Sequence, residues 1–179
     1  MITKLKNYKT SSYMELKELI LSPNFSWNYY GPTVENQNKS KDFRLLAHPF
    51  LARPGIHYPY PKPSSPYTDL ATYVCQEILG MNKIEIHLFY RISVNMILDN
   101  EGISPKHVDH PFPHSNLIVY INKFDNGRTL LYDGEEEHSL KSQEDMAITF
   151  DGNITHCHEA SSSERRIALV ATYLKNYDH

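Results

Sequence analysis

Cysteine is scarce in this sequence: Cys75 and Cys157 are the two present in 179 residues. Two thiols cannot make the disulfide framework of a small secreted domain, so two free thiols in a reducing compartment are expected. No apolar stretch approaches the ~20 residues of a membrane span. The opening Met1-Ile2-Thr3-Lys4-Leu5-Lys6 runs into polar residues without the apolar segment of a secretory signal, and a cytoplasmic location is therefore expected. A basic surplus is missing too. With a formal net charge of −3 there is no electrostatic reason to expect a nucleic-acid partner. Glycine is sparse at 7, whereas 13 Tyr, 11 Pro and 10 His are many. Tyrosine-rich, glycine-poor composition suits a β-rich fold with half-buried aromatic surfaces. The length fits one domain, large enough to need no disulfide staple.

Along the chain, Ser12-x-x-Glu15 has the form of a capping box, and Leu16, Leu19 and Ile20 continue it as a short amphipathic helix ending near Ser22-Pro23. Phe25-Ser26-Trp27-Asn28-Tyr29-Tyr30 reads as an aromatic strand stopped by Gly31-Pro32. Residues 33–42 are polar and read as a loop, and 43–50 are apolar enough to return to the core. The prolines between Arg53 and Pro66 exclude a helix or a central strand. That segment is either a lid over a binding site or a semi-rigid connector. Ser65-Pro66 is placed to start a second helix, with Leu70, Val74 and Ile78 as its stripe and Gly80 as its end.

After Gly80 the periodicity changes to β. Ile84, Ile86 and Leu88 alternate with polar residues, as do Ile92, Val94 and Met96. Further strands are expected at 117–122, 129–132, 138–140, 146–150 and 166–173, separated by Asn126-Gly127, Asp133-Gly134 and Asp151-Gly152 turns. Helices followed by many short strands give an α+β domain whose main body is a sheet sandwich or barrel. One domain is expected, with helices, aromatic strand and Pro-rich loop in residues 1–82 and the β core in 83–175.

The chemistry is concentrated in His107-Val108-Asp109, His156 and Arg166. In a strand, residues i and i+2 share a face, so His107 and Asp109 can aim at one point. His156 from a distant strand would complete one face of an octahedron. Two imidazoles and a carboxylate leave three positions open, the facial triad of non-haem Fe(II) oxygenases. Soft thiolates would instead select zinc or copper. His-x-Asp alone carries little weight, since it arises by chance in roughly one such chain in two. The combination with a distal histidine after a strand, and an arginine opening the last strand, is what carries the reading.

Residues 84–174 resemble the prolyl-hydroxylase-like branch of the 2-oxoglutarate/Fe(II) dioxygenases, with a weaker echo in Phe25–Tyr30. His107-Val-Asp-His-Pro-Phe-Pro-His-Ser-Asn-Leu-Ile-Val-Tyr120-Ile-Asn122 resembles the family's His-x-Asp segment and the strand after it. Asp125-Asn-Gly127-Arg-Thr129-Leu resembles its glycine turn, with Asn126-Gly127 where a pair of glycines is usual. Met146-Ala-Ile-Thr-Phe150-Asp-Gly-Asn-Ile-Thr-His156 resembles its distal-histidine element, and Arg166-Ile-Ala-Leu-Val-Ala-Thr-Tyr173 its final strand.

The resemblance implies a double-stranded β-helix (jelly-roll, cupin-like) core with the N-terminal helices packed on one sheet. It implies His107, Asp109 and His156 as Fe(II) ligands, with His156 favoured over His158 by its spacing to Phe150 and Arg166. Arg166 would grip the distal carboxylate of 2-oxoglutarate, as a planar guanidinium does well. Arg165, on the opposite face, is the solvent residue. Tyr120 matches a position for a phenol on the same carboxylate, or is a core tyrosine. Asn95 is a candidate to hydrogen-bond the cosubstrate. His110 and His114 are read as loop residues or substrate contacts, and Glu135-Glu136-Glu137 as a solvated hairpin tip. Retention of Asp109 argues against halogenation. The implied reaction consumes 2-oxoglutarate and O₂, releases succinate and CO₂, and hydroxylates a peptidyl proline, an amino acid or another small metabolite. Two rivals stay open: a β-helix that binds metal or ligand without turnover, and a zinc hydrolase built on the same triad. Oligomeric state is not legible.

Overall fold

The computed structural model describes residues 1–32, 44–55, 58–98 and 102–176. The polar stretch expected as a loop at 33–42 lies outside them, as do residues 56 and 57 of the Pro-rich segment. The elements in chain order are β1 (Thr3–Leu5), α1 (Ser11–Leu21), β2 (Asn28–Pro32), β3 (Arg44–Ala52), β4 (Lys62–Pro63), α2 (Thr68–Met81) and β5 (Ile86–Ile97). They are followed by β6 (Ser115–Tyr120), β7 (Thr129–Asp133), β8 (Glu136–Leu140), β9 (Ala147–Asp151), β10 (Thr155–His158) and β11 (Ile167–Lys175).

The strands form two antiparallel sheets. The larger runs β1-β9-β6-β11-β5-β3-β2, with β4 also on β3, and the smaller runs β10-β7-β8. Alternation along the central strands decides the layers. Leu117 and Val119 of β6, and Leu169, Ala171 and Tyr173 of β11, pack with Tyr13, Leu16 and Ile20 of α1 and Ala71, Val74, Cys75, Ile78 and Leu79 of α2. Their neighbours Ile118, Tyr120 and Ala168 point the other way and meet Leu131 of the smaller sheet. This is an α+β jelly roll with both helices on one sheet, as expected from the sequence.

Several local expectations shift for identifiable reasons. The cap of α1 is Thr10, whose hydroxyl accepts from the Tyr13 N–H at 3.3 Å; Ser12 instead donates to Glu77 of α2. The β2 strand runs through Pro32, which lies opposite Arg44. At a sheet edge the missing proline N–H costs no ladder bond, so Gly31-Pro32 need not stop it. Helix α2 begins at Thr68, two residues after Pro66, and passes through Gly80 to end at Met81. Lys83, at φ 60°, makes the reversal expected of the glycine. The two alternating runs after Gly80 are one strand, β5. Its register with β11 jumps from Ile86 to Leu88 and from Phe89 to Arg91, passing over His87 and Tyr90. These two bulges flip the parity twice, so Phe89 rather than Leu88 enters the helix-facing core before Ile92, Val94 and Met96 resume it. Strands β1 and β10 were not expected. Both cysteines are buried and free, and no helix among the described residues is long and apolar enough to cross a membrane.

A polar clamp fastens α1 to the sheet. The Asp145 carboxylate accepts from Tyr13 Oη at 2.6 Å and Lys17 Nζ at 2.6 Å, and pairs with Lys9 Nζ at 2.7 Å. Its own N–H donates to the Tyr120 carbonyl at 2.8 Å, holding it at φ 63°, where Asp and Asn are tolerated. Burial alone would lift the Asp145 carboxyl, but the hydrogen bonds from Lys17, Lys9 and Tyr13 outweigh it, and the group titrates below the ordinary carboxylate range. A carboxyl lowered on folding contributes stability above its unfolded pKa and loses it as pH falls through its folded one. Asp145→Asn should therefore cost about 2–4 kcal/mol near neutral pH. In denaturant titrations run against pH, the gap to the wild type should close in strong acid. A gap that stays constant with pH would show that shape rather than charge makes the clamp.

Candidate metal centre

Between β5 and β6 the chain runs antiparallel beside β10. Ser104 N–H donates to the His158 carbonyl at 2.8 Å, and His107 and His156 exchange both backbone hydrogen bonds, each at 2.9 Å. The two histidines are thus directly opposed, with ring centroids 4.6 Å apart. Each ring donates Nδ1–H to the carbonyl two residues earlier, His107 to Pro105 and His156 to Ile154, both at 3.0 Å. That fixes the tautomer and leaves Nε2 as the free donor atom on each ring. Asp109 is at a bend rather than in the strand expected for it, with only His107 forming a β-bridge there. Its carboxylate still reaches the rings: Oδ2 lies 3.5 Å from His156 Nε2. One ligand atom from each of His107, Asp109 and His156 lies within 4.8 Å of the others.

The donor set fits a divalent first-row cation. Burial, then the neighbouring His156, lowers the His107 pKa and keeps the ring neutral. Burial alone would raise the Asp109 carboxyl, but His156, Arg91 and His107 reverse it and hold the group well below the usual carboxylate range. The His107 nitrogen is therefore unprotonated and the Asp109 oxygen ionised, as metal binding requires. Asn116 Nδ2 donates to Asp109 Oδ2 at 3.0 Å, and Arg91 Nη2 sits 3.5 Å from Oδ1. The neighbouring Cys157 is no ligand in this arrangement: burial raises its thiol, which donates to Tyr132 Oη at 3.8 Å.

The three side chains open onto a cavity of about 670 Å³ that is also lined by Asn95, Thr129, His158 and Arg166. Arg166 is 5% exposed, yet no carboxylate among the described residues pairs with it. Its Nη2 donates to Thr129 Oγ1 at 3.3 Å, and Nε has no partner. Burial lowers its pKa, with Tyr120 acting in the opposite sense. An uncompensated buried guanidinium costs several kcal/mol, so the cavity is built for an anion at that point. Tyr120 lies behind this group. Its ring is 5.2 Å from the guanidinium carbon and its hydroxyl is 2.6 Å from Thr129 Oγ1, but it does not line the cavity. Asn95 lines it and accepts from Ser93 Oγ at 3.3 Å. His158 is held by Ser104, 3.1 Å from Nδ1.

A structure of a 2OG-Fe(II) oxygenase family oxidoreductase from Burkholderia pseudomallei superposes with a TM-score of 0.72 at 13% identity, over 97% of this chain and 84% of that one. The fold is that of the 2OG-Fe(II) oxygenases. A Trichoplax adhaerens prolyl hydroxylase, solved with a peptide of hypoxia inducible factor, shares this oxygenase fold at TM-score 0.64 and 13% identity, over 97% of this chain and 83% of that one. A non-heme alpha ketoglutarate dependent epimerase from nogalamycin biosynthesis does so at 0.60 and 10%, over 97% and 76%. No family model matches the sequence, and no curated protein matches it. At these identities the likeness is one of fold.

Against this oxygenase fold, sequence reasoning brought together the residues that meet and missed those that hold them. Asn116 and Arg91 were not singled out. Asn116 lay just before the strand expected at 117–122, beside Ser115 at the start of β6, and gave no distinct signal; for Arg91 the signal was the polar phase of β5, shared with Ser93 and Asn95. His110 and His114 are loop residues, the first of the two expected readings, and they are not among the residues that line the cavity. They are buried against Tyr90 and Phe112, the His110 ring 4.7 Å from Tyr90 and stacked 5.1 Å from Phe112. Removing the amide that orients Asp109 should loosen the metal: Asn116→Ala is expected to weaken divalent-ion affinity about 10- to 100-fold. Competition with a chromophoric chelator measures this, with His107→Ala as the null. Unchanged affinity would mean Asp109 needs no such support.

Proposed function

We propose that the protein is an Fe(II)- and 2-oxoglutarate-dependent dioxygenase that hydroxylates a peptidyl proline, an amino acid or another small metabolite. What carries the reading is the pairing, in one cavity, of a His-Asp-His group with a buried guanidinium that no carboxylate among the described residues neutralises. A zinc hydrolase has no use for that guanidinium, and neither has a metal store.

In this reading His107, Asp109 and His156 would hold the iron at the wall of the cavity that they line. When bound, iron with 2-oxoglutarate and O₂ supplies an oxidant able to break a substrate C–H bond, with succinate and CO₂ as coproducts. The protein's share is placement. Arg166 grips the distal carboxylate of the cosubstrate through its free edge, the unpartnered Nε included. Thr129 steadies that guanidinium, and Tyr120 steadies Thr129 and packs against the guanidinium. Tyr120 is thus a positioning residue behind the carboxylate. Asn95 offers its amide from the β5 wall. No side chain is required as a general base, because the C–H bond would be broken by removal of a hydrogen atom and not of a proton.

Anaerobic addition of Fe(II) and 2-oxoglutarate should produce a weak visible charge-transfer band that needs both components, and admission of O₂ should release succinate. Arg166→Ala should weaken 2-oxoglutarate binding about 10- to 100-fold, the ~1.5–3 kcal/mol of a charge-assisted contact, while Fe(II) binding stays intact. Arg166→Ala at full cosubstrate affinity would remove the clamp from the mechanism. Absence of both the band and succinate in the wild type would remove the oxygenase.

A further inference from the structure

The cavity holds more positive charge than a metal and one cosubstrate can use. Arg53, Arg91 and Arg166 line it, and Asp109 is the sole acid among its described lining residues. The two charges of 2-oxoglutarate match those of the ion, and Asp109 offsets one guanidinium. Two remain.

The surplus is at a place of its own. Arg166 lies opposite Ile97, whose N–H donates to the Arg166 carbonyl, while Arg91 lies opposite Thr172. Six residues of strand separate Ile97 from Arg91, about 20 Å at ~3.3 Å per residue. Arg91 therefore sits at the Asp109 end, its Nη2 3.5 Å from the carboxylate. That contact is long for a hydrogen bond and leaves Arg91 Nε buried without a partner. Arg53, itself exposed, reaches the mouth of the same cavity from the segment after β3, and Tyr30, half exposed, stands at its edge. A buried, unsatisfied Nε beside a metal ligand is costly unless something accepts from it.

We propose that Arg91 and Arg53 form a second anion site that recognises a carboxylate on the substrate, making the preferred substrate a small free acid rather than an interior peptide segment. The proposal rests on the oxygenase reading above. Because Arg91 touches Asp109, the recognised carboxylate is held close to the metal, and the oxidised carbon lies only a few bonds from it. A neutral residue within a chain offers nothing to these two guanidiniums; a free carboxylate matches their fork geometry and never loses its charge near pH 7.

The test is anaerobic calorimetry on the protein loaded with Fe(II) and 2-oxoglutarate. The probes are the L-amino acids and short hydroxy acids, each beside its own primary amide, with phosphate monoesters and end-blocked proline peptides as further arms. At least one acid should bind 10-fold or more tighter than its amide, and should couple succinate release once O₂ is admitted. Arg91→Gln should collapse that acid-to-amide ratio toward one. Arg53→Gln, whose side chain does not touch Asp109, should lower it several-fold and serves as the independent variant should Arg91→Gln disturb the metal or the fold. A wild-type ratio near one overturns the proposal, as does a ratio that neither variant changes. So does tighter binding of blocked peptides or phosphate monoesters, or failure of every acid to bind. If Arg91→Gln acts on 2-oxoglutarate affinity while the acid-to-amide ratio holds, Arg91 serves the cosubstrate and the proposal falls. All these outcomes are read with the cosubstrate bound; loss of cosubstrate binding in the wild type would instead sink the oxygenase reading itself.

Discussion

The site depends on two backbone hydrogen bonds. His107 and His156 are remote in sequence, and each gives its N–H to the other's carbonyl. That exchange places their Cα atoms opposite one another with no freedom to slide. Both imidazoles are then locked in the same way, by an Nδ1–H bond to the carbonyl two residues back. Two identical local devices, brought face to face by a ladder, aim two Nε2 atoms at one point. Everything downstream, including where Asp109 must reach and which wall of the cavity can carry the guanidinium, is measured from that point.

How much of this was legible follows from what each residue's position depends on. The helices, most of the strands and the hairpin turns were readable because periodicity and turn chemistry are local. Glu135 in the β7–β8 turn and Glu136 and Glu137 at the start of β8 are all exposed, as a solvated hairpin end should be. Strand β10 was invisible because His156-Cys157-His158 has no apolar alternation; its ladder partners β7 and the 103–107 segment define it. The three candidate ligands were picked out by motif, but the argument that Asp109 shares a strand with His107 does not describe how it arrives beside the rings. The supporting residues were out of reach. An asparagine in β6 or an arginine in β5 acquires meaning only when tertiary structure puts it beside a carboxylate.

Buried charge is used here in two contrasting ways. At Asp145, one carboxylate is surrounded by Lys9, Lys17 and Tyr13, so the penalty of burial is met within the chain and the result is a tether. At Arg166 the penalty is left open, with a threonine hydroxyl accepting from it and no carboxylate among the described residues beside it. A fold that satisfies one buried ion so fully and leaves another so bare is asking for a ligand at the second. The same logic applies to Arg91, at smaller scale.

Tyr90 gives the bulge in β5 a meaning beyond the strand. It is one of the two residues that β5 passes over in its register with β11, and its ring packs edge-on against His110 at 4.7 Å and Phe112 at 4.9 Å. Those two rings follow Asp109 by one and three residues, so a supernumerary strand residue moors the loop that presents the carboxylate. An idealised, bulge-free barrel carrying the same His-Asp-His group would keep its paired imidazoles and let the carboxylate drift. For anyone transplanting such a centre into a designed scaffold, the irregularity belongs to the graft.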